Sequence, residues 1–341
     1  MFVIKIKKWH IVTTLLCLSL VTTSTIFIGK NHSQVNAHEN KKFIKYAEFN
    51  PTYEALDKAM REDIKSQSSD VKIDWIEILA CLGTKYGGDF KKYKENDINE
   101  IIKSLKSGIS ARDIVKNNKT YNYYKEVYGT VLKEFIGNYK IKKISKDGNP
   151  QWEEIYGLKA FSPIAKTFPF NHFDDFGASR TYGFSRPHLG HDMMAAIGTP
   201  VIAVESGTVE IMGWNQYGGW RVGIRSFDKK RYYYYAHLRK NKPFHIDLKE
   251  GKTVKAGDVI GYVGRTGYST KENVNNINES HLHWGMELIF DESQKECDHE
   301  IWINLYALTR LLEKNKCSVV RNNESKEFFR EFDFSEKNVE S

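Results

Sequence analysis

Two short stretches far apart in the chain, Arg186-Pro-His-Leu-Gly-His-Asp192 and His281-Leu-His283, constrain it more than any other part. An imidazole at 188 and a carboxylate at 192 can both reach one divalent ion, with Gly190 letting the backbone fold closely between them. His-x-x-x-Asp alone is a weak signal. It gains force from His281 and His283, because side chains two apart on a strand point to the same face. Both imidazoles would then enter one site. Two histidines and one carboxylate, with a fourth position left open, make up the donor set of a catalytic zinc site.

The surrounding motifs widen the pattern. They are Phe176-Gly177-x-x-Arg180, His188-x-Gly-x-Asp192, Gly198-Thr-Pro-Val-Ile-Ala203, Tyr235-Ala-His-Leu238, Gly261-x-Val-Gly-x-Thr-Gly267 and His281-Leu-His283. In these residues the stretch from about Phe161 to Leu288 resembles the lysostaphin-type (LytM-like) zinc metallopeptidases of bacterial cell walls. The resemblance covers well under half of the chain. Position by position it implies one Zn2+ held by His188, Asp192 and His283, with His237 and His281 as catalytic imidazoles. Zinc lowers the pKa of its water and polarises a carbonyl, and imidazoles titrate near neutrality, so two more of them can orient the water and protonate the leaving amine. The His-Glu-x-x-His motif of other zinc peptidases is absent. His191 adjoins Asp192 and should point elsewhere, while His172, His245 and His299 sit in no motif.

With 341 residues there is room for two domains, and 40% hydrophobic content suits a globular chain. A net charge of +8 fits work beside anionic wall polymers or a membrane surface, or simply a soluble basic face, while peptidoglycan as partner is what the resemblance implies. Nucleic acid is set aside as a partner because no recognition motif accompanies the charge. Cysteines are sparse and form no Cys-x-x-Cys; Cys297 and Cys317 flank the last predicted helix, where an oxidising compartment would allow them to pair.

Taken in order, Lys5, Lys7 and Lys8 precede an uncharged run from Ile11 to Ile28, the pattern of an export signal. Residues 1–37 therefore read as a signal peptide or signal anchor. Either residues 11–28 stay as a membrane anchor, the favoured reading, or cleavage near Val35-Asn36-Ala37 releases a secreted chain; both place the protein outside the cytoplasm. Residues 38–50 read as a polar tether and 51–144 as a small all-α domain. Asp74-x-x-Glu77 and Asp97-x-x-Glu100 mark helix starts with reciprocal caps, and Tyr124, Val127, Val131, Leu132 and Phe135 mark a third helix. Ile78 to Gly87 faintly resembles the acid-bearing helix of lysozyme-like transglycosylases, but Lys85 stands where that family has glutamate. Glycosidic cleavage needs a carboxylic acid, so a spacer or wall-binding role is favoured. Tyr121, Tyr123, Tyr124 and Tyr128 are assigned to packing.

Residues 145–160 read as a linker. Beyond it, short strands at 201–204, 208–212, 221–225, 232–236, 259–263 and 281–289, separated by turn signals, imply an all-β domain of antiparallel sheet over 161–312. Glu300 to Leu312 returns to helix, and 313–341 reads as a charged, mobile tail. Two departures from the family pattern bear on substrate. Residues 271–280 make a longer link before His281, and Trp284-Gly285-Met286 replaces the usual aromatic followed by glutamate. Asp174 and Asp175 read as solvated loop acids near the groove. The export signal and the resemblance together imply an exported zinc endopeptidase acting on peptidoglycan peptides. Two alternatives stay open: a silent wall-binding or scaffold protein with the same fold, and a groove blocked by the helical domain until a partner removes it.

Overall fold

Short antiparallel strands organise the larger part of the computed structural model, and in the central ones, His191–Ala195, Arg231–Ala236 and His281–Leu288, almost every side chain is buried or half-buried. The structure describes residues 43–144, 149–295, 297 and 299–336. The expected signal or anchor, residues 1–37 with its apolar run 11–28, lies outside them. Among the described residues no helix is long and apolar enough to cross a membrane.

The N-terminal region is helical, with α1 (Tyr53–Ser66), α2 (Trp75–Tyr86), α3 (Glu95–Lys106) and α4 (Asn118–Leu132) joined by short turns. Asp74 caps α2 by accepting from the Ile76 amide at 2.7 Å, and Gly87 ends it in the left-handed region. Glu77 does not complete the reciprocal cap; it pairs with Lys125 of α4 at 2.5 Å. Nor does Asp97 start α3. Lys94 stands at that cap, and Asp97 instead accepts from Lys85 at 2.6 Å and from the Tyr86 hydroxyl at 2.7 Å. Tyr121 and Tyr128 are buried, and Phe49 meets the Tyr128 ring edge-on, so the end of the expected tether is packed into this region.

The expected linker is a correction. β1 (Ile136–Ile144) and β2 (Pro150–Leu158) form a hairpin paired along its whole length. Most β2 side chains are exposed, so backbone pairing orders the strand and its sequence carries no apolar pattern. The main β region then runs β3 (Phe170–Phe173), β4 (Ser179–Arg180), β5 (Arg186–Pro187), β6 (His191–Ala195), β7 (Pro200–Ile202), β8 (Gly207–Asn215), β9 (Gly219–Ser226), β10 (Arg231–Ala236), β11 (Thr253–Val254), β12 (Val259–Tyr262), β13 (His281–Leu288) and β14 (Ile301–Trp302). An antiparallel sheet of eight strands has the order β11-β8-β9-β10-β13-β6-β3, and β14 pairs with the far half of β13. Because Ile301 and Trp302 are taken into that sheet, the last helix, α5 (Tyr306–Leu312), starts later than Glu300.

One face of the sheet is core. Leu282, Trp284, Met286, Tyr233 and Tyr235 are fully buried there, and the Trp284 indole donates to Thr309 of α5 at 3.2 Å. The tail is a further correction, since β15 (Val319–Arg321), β16 (Phe328–Arg330) and β17 (Phe334–Ser335) are ordered. Phe328, Phe332 and Phe334 pack with Phe161, Ile202 and Tyr262, and β17 pairs with β1. Cys297 and Cys317 are both free, Cys317 being buried against the Gly257 carbonyl at 3.2 Å.

Residues from Lys45 onward form one compact unit, so the helical region is no separate spacer. Arg310 of α5 lies over the Tyr53 ring of α1 at 4.5 Å, and Tyr156 of β2 donates to Asp63 of α1 at 2.8 Å. Arg231 of β10 is fully buried; it holds Glu205 at 2.8 and 3.0 Å and donates to the Thr130 carbonyl of α4 at 2.5 Å. Removing one partner of such a buried pair strands the other charge, at a cost of about 3–5 kcal/mol. Arg231→Met should therefore lower unfolding stability by about that much in a denaturant titration. A loss under about 1 kcal/mol would show that the helical region and the sheet are not coupled through this pair.

Candidate metal centre and groove

The open face of the sheet carries the polar residues. On β13 the alternation that buries Leu282 and Trp284 turns His281, His283, Gly285 and Glu287 the other way. His283 pairs in register with Asp192 of β6 on one side and with Ala236 of β10 on the other. His191 and Met193 alternate with Asp192 and face the core. There His191 lies 2.8 Å from His172, which reaches Glu313 at 2.7 Å, and burial, with help from His172, pushes the His191 imidazole down to about 3.

His188 comes from the turn after β5, held by backbone bonds to Gly177 and Ala178. Its Nε2 lies 3.1 Å from Asp192 Oδ1 and 2.9 Å from His283 Nδ1, and those two are 2.9 Å apart. Gly190 makes this convergence fit, because a Cβ there would come 2.4 Å from the His283 ring. Its role is room for that imidazole rather than a tight turn. Burial works against a charged Asp192, yet the hydrogen bonds from His188 and His283 hold its carboxyl well below the usual range. Burial likewise lowers His283, opposed by Asp192.

Three lone-pair atoms this close suit a shared cation better than one another. A tetrahedral zinc with bonds of about 2.0–2.1 Å has ligand–ligand edges of roughly 3.3–3.4 Å, so small shifts would admit it. His188 Nδ1 faces Asp175 Oδ1 at 2.9 Å, close enough for an ion pair though off the line of a hydrogen bond. Arg180 in turn binds Asp175 and lies 3.5 Å from Asp192 Oδ2. Asp175 is therefore no solvated loop acid. A carboxylate behind a ligand histidine fixes its ring and tautomer, and its signal in the sequence was its place just before Phe176-Gly177-x-x-Arg180.

His237 and His281 stand beside the three, their ring centroids 4.8 Å apart, with His237 5.8 Å from His283. Each donates Nδ1–H to a main-chain carbonyl: His237 to Thr266 at 2.9 Å, His281 to Glu279 at 2.9 Å. Each Nε2 is thereby left without a proton, as an acceptor, that of His281 lying 3.7 Å from Asp192 Oδ1. Thr266 also accepts from the Trp220 amide and donates to the Leu238 carbonyl, which ties the Gly261–Gly267 motif to the His237 loop. His237 adopts φ 60°, a left-handed conformation unusual for a non-glycine residue and the kind of strain found at functional sites. Burial, with His281 and His283 nearby, pushes its imidazole well below the ordinary value.

These five residues open into a groove of about 910 Å³ lined only by residues between Phe173 and Trp302. No residue of α1 to α4 lines it, so the described helical region does not cover the site. Asn276 to Glu279, from the long link before His281, form part of one wall. At Gly285 a Cβ would come 2.7 Å from the Trp302 ring, so that indole fills the space beside the strand. Farther along β13, Glu287 is buried with Oε1 unpartnered.

Residues 186–296 match peptidase family M23. Over 130 residues the chain is 38% identical to the L-Ala–D-Glu endopeptidase of Bacillus subtilis, covering 38% of each chain. It is 40% identical over 84 residues to the glycyl-glycine endopeptidase ALE-1 of Staphylococcus capitis, covering 24% of this chain and 22% of that one. The catalytic domain of lysostaphin from Staphylococcus simulans is 32% identical, covering 36% of this chain and 80% of that one, with a TM-score of 0.27. The chain thus spans well under two thirds of these two curated relatives, and what it shares with them is an M23 peptidase domain.

Burial, reinforced by Glu300, pushes the Glu287 carboxyl up to about 8. The folded chain then holds this proton after the unfolded chain has lost it, so stability falls as pH rises from about 4.5 to about 8. Between pH 5 and pH 9, Glu287→Gln should lose less stability than the parent, by something on the order of 2–4 kcal/mol. Parallel stability profiles for the two proteins would contradict this reading of Glu287.

Proposed function

We propose that this M23 domain is an exported zinc metalloendopeptidase that hydrolyses peptide bonds in the stems or cross-bridges of peptidoglycan. The observation that carries the reading is the convergence of His188 Nε2, Asp192 Oδ1 and His283 Nδ1 within 3.1 Å of one another, beside two imidazoles that each keep one nitrogen free. Export rests on the lysines and uncharged run of residues 5–28. Peptidoglycan as substrate rests on the resemblance to wall endopeptidases named for L-Ala–D-Glu and glycyl-glycine bonds.

His188, Asp192 and His283 would hold the ion, with Asp175 and Arg180 fixing the first two. When bound, zinc would supply Lewis acidity, polarising the scissile carbonyl and making water nucleophilic near neutral pH. The chain does the proton work. One free Nε2, on His237 or His281, takes a proton from the attacking water; the imidazolium so formed, or the other ring once it has taken up a proton from solvent, then hands a proton to the departing amine. The main-chain carbonyls on their Nδ1 atoms fix the tautomer this requires. Glycan cleavage is not supported by the helical region, where Lys85 is ion-paired to Asp97 and no acid takes its place.

The purified chain should carry about one zinc, and alanine at 188, 192 or 283 should lower metal content and activity together. His281→Ala and His237→Ala should keep zinc yet lose at least about 10²-fold in turnover. Digested walls should release free amino groups and no new reducing ends. Full zinc occupancy in His188→Ala, or equal zinc loss from His281→Ala and His283→Ala, would overturn the assignment. A zinc-loaded chain that releases no amino groups from any wall would favour the silent scaffold.

A further inference from the structure

Among the described residues, the cations lining the groove are satisfied, with one exception. Arg180 is held by Asp175 and Asp192, and Lys295 pairs with Glu210 at 2.6 Å. Arg186 donates to the Tyr182 carbonyl at 2.6 Å and lies over the Tyr217 ring at 4.5 Å. Arg221 has no carboxylate at ion-pair distance among the described residues, and its Nε is buried without a hydrogen-bond partner. A partly desolvated guanidinium left unpaired is costly unless something else supplies the acceptor.

Its position says what that acceptor is next to. Tyr235 pairs with Val222 across β10 and β9, so Arg221 is the neighbour of Ala236, which pairs with His283, which pairs with Asp192. Arg221 thus lies in the same cross-strand row as two of the proposed ligands, two strands from His283. At a strand spacing of about 4.8 Å its backbone stands roughly 10 Å away. An extended peptide advances about 3.3–3.6 Å per residue, so the guanidinium can meet a group carried one or two residues from a bond cleaved at the metal. The acid farther along the face does not compete, because Glu287 is held protonated up to about 8.

We propose that Arg221 is a specificity-determining residue, forming a carboxylate-binding subsite that makes the groove favour a peptide with a free carboxylate beside the scissile bond over an uncharged glycine bridge. The proposal rests on the endopeptidase reading for its choice of ligand. Guanidinium and carboxylate match in charge and in bidentate geometry, which a carboxamide or a glycyl unit cannot reproduce.

The test uses the full chain and two synthetic peptides that are identical except for a free carboxylate or a carboxamide on the residue after an L-alanyl bond, with pentaglycine as a third substrate. The zinc-loaded chain should cleave the acid form with kcat/KM at least about 10-fold above the amide form, mostly through KM. Arg221→Gln should bring that ratio to about 1 with kcat little changed, and Arg221→Lys should restore part of it. Dissociation constants measured with a chelator present should show the same order without any turnover. If no peptide is cleaved but the acid form still binds more tightly, the subsite stands and the peptidase reading falls. Equal binding and equal kcat/KM for acid and amide, preference for pentaglycine, or discrimination surviving in a folded Arg221→Gln protein would each overturn the subsite.

Discussion

The antiparallel pairing of β13 with β6 is the constraint on which the rest of this structure depends. It sets His283 directly opposite Asp192. A slip of β13 by one residue would turn His283 to the core and bring Leu282 to the groove opposite Asp192, because side chains alternate along a strand. The register is held from the buried side, where Leu282, Trp284, Met286 and Met193 are wholly enclosed. The same packing that forms the core therefore places the polar site. His188 joins from a turn, and Gly190 leaves the gap into which the His283 ring fits.

Rigidity behind the sheet comes partly from elements outside the matched region. The Arg231–Glu205 pair is sealed by the Thr130 carbonyl of α4, and Tyr156 and Asp63 join the β1–β2 hairpin to α1. These contacts lie away from the groove, whose lining starts at Phe173. The helical region thus supports the sheet and leaves the site open. That arrangement differs from a tethering spacer, and it gives the chain a single compact unit from Lys45 onward.

Much of this was legible in the residues because the strongest patterns are local. The six expected strands coincide with β7 to β10, β12 and β13, where β-branched and aromatic residues run between glycine turns. The family resemblance implied the five histidine and aspartate positions that the structure brings together. What stayed hidden depends on contacts made at a distance. β2 is exposed over its first half and is ordered by pairing with β1, and its strand formers Trp152, Ile155 and Tyr156 are separated by Glu153 and Glu154 without a sustained apolar alternation. The tail reads as charged, yet three phenylalanines spaced through it anchor it to Tyr262 and Phe161. Asp97 looked like a helix cap but serves Lys85 and Tyr86. Asp175 looked like a loop acid, and only the folded turn brings it to His188. β6 lacks a clean alternation because His191, Asp192, Met193 and Met194 mix polar and apolar residues on both faces.

The central claim is that three atoms on two paired strands and one turn form a zinc site, with His237 and His281 outside its ligand set. A diffraction experiment at the zinc absorption edge on crystals of the zinc-loaded chain tests it directly. The account predicts one strong anomalous peak, about 2.0–2.3 Å from His188 Nε2, Asp192 Oδ1 and His283 Nδ1, with the Nε2 atoms of His237 and His281 beyond bonding distance. A peak bonded to His281 or His237 in place of any of the three, or no peak between β13 and β6, would contradict it.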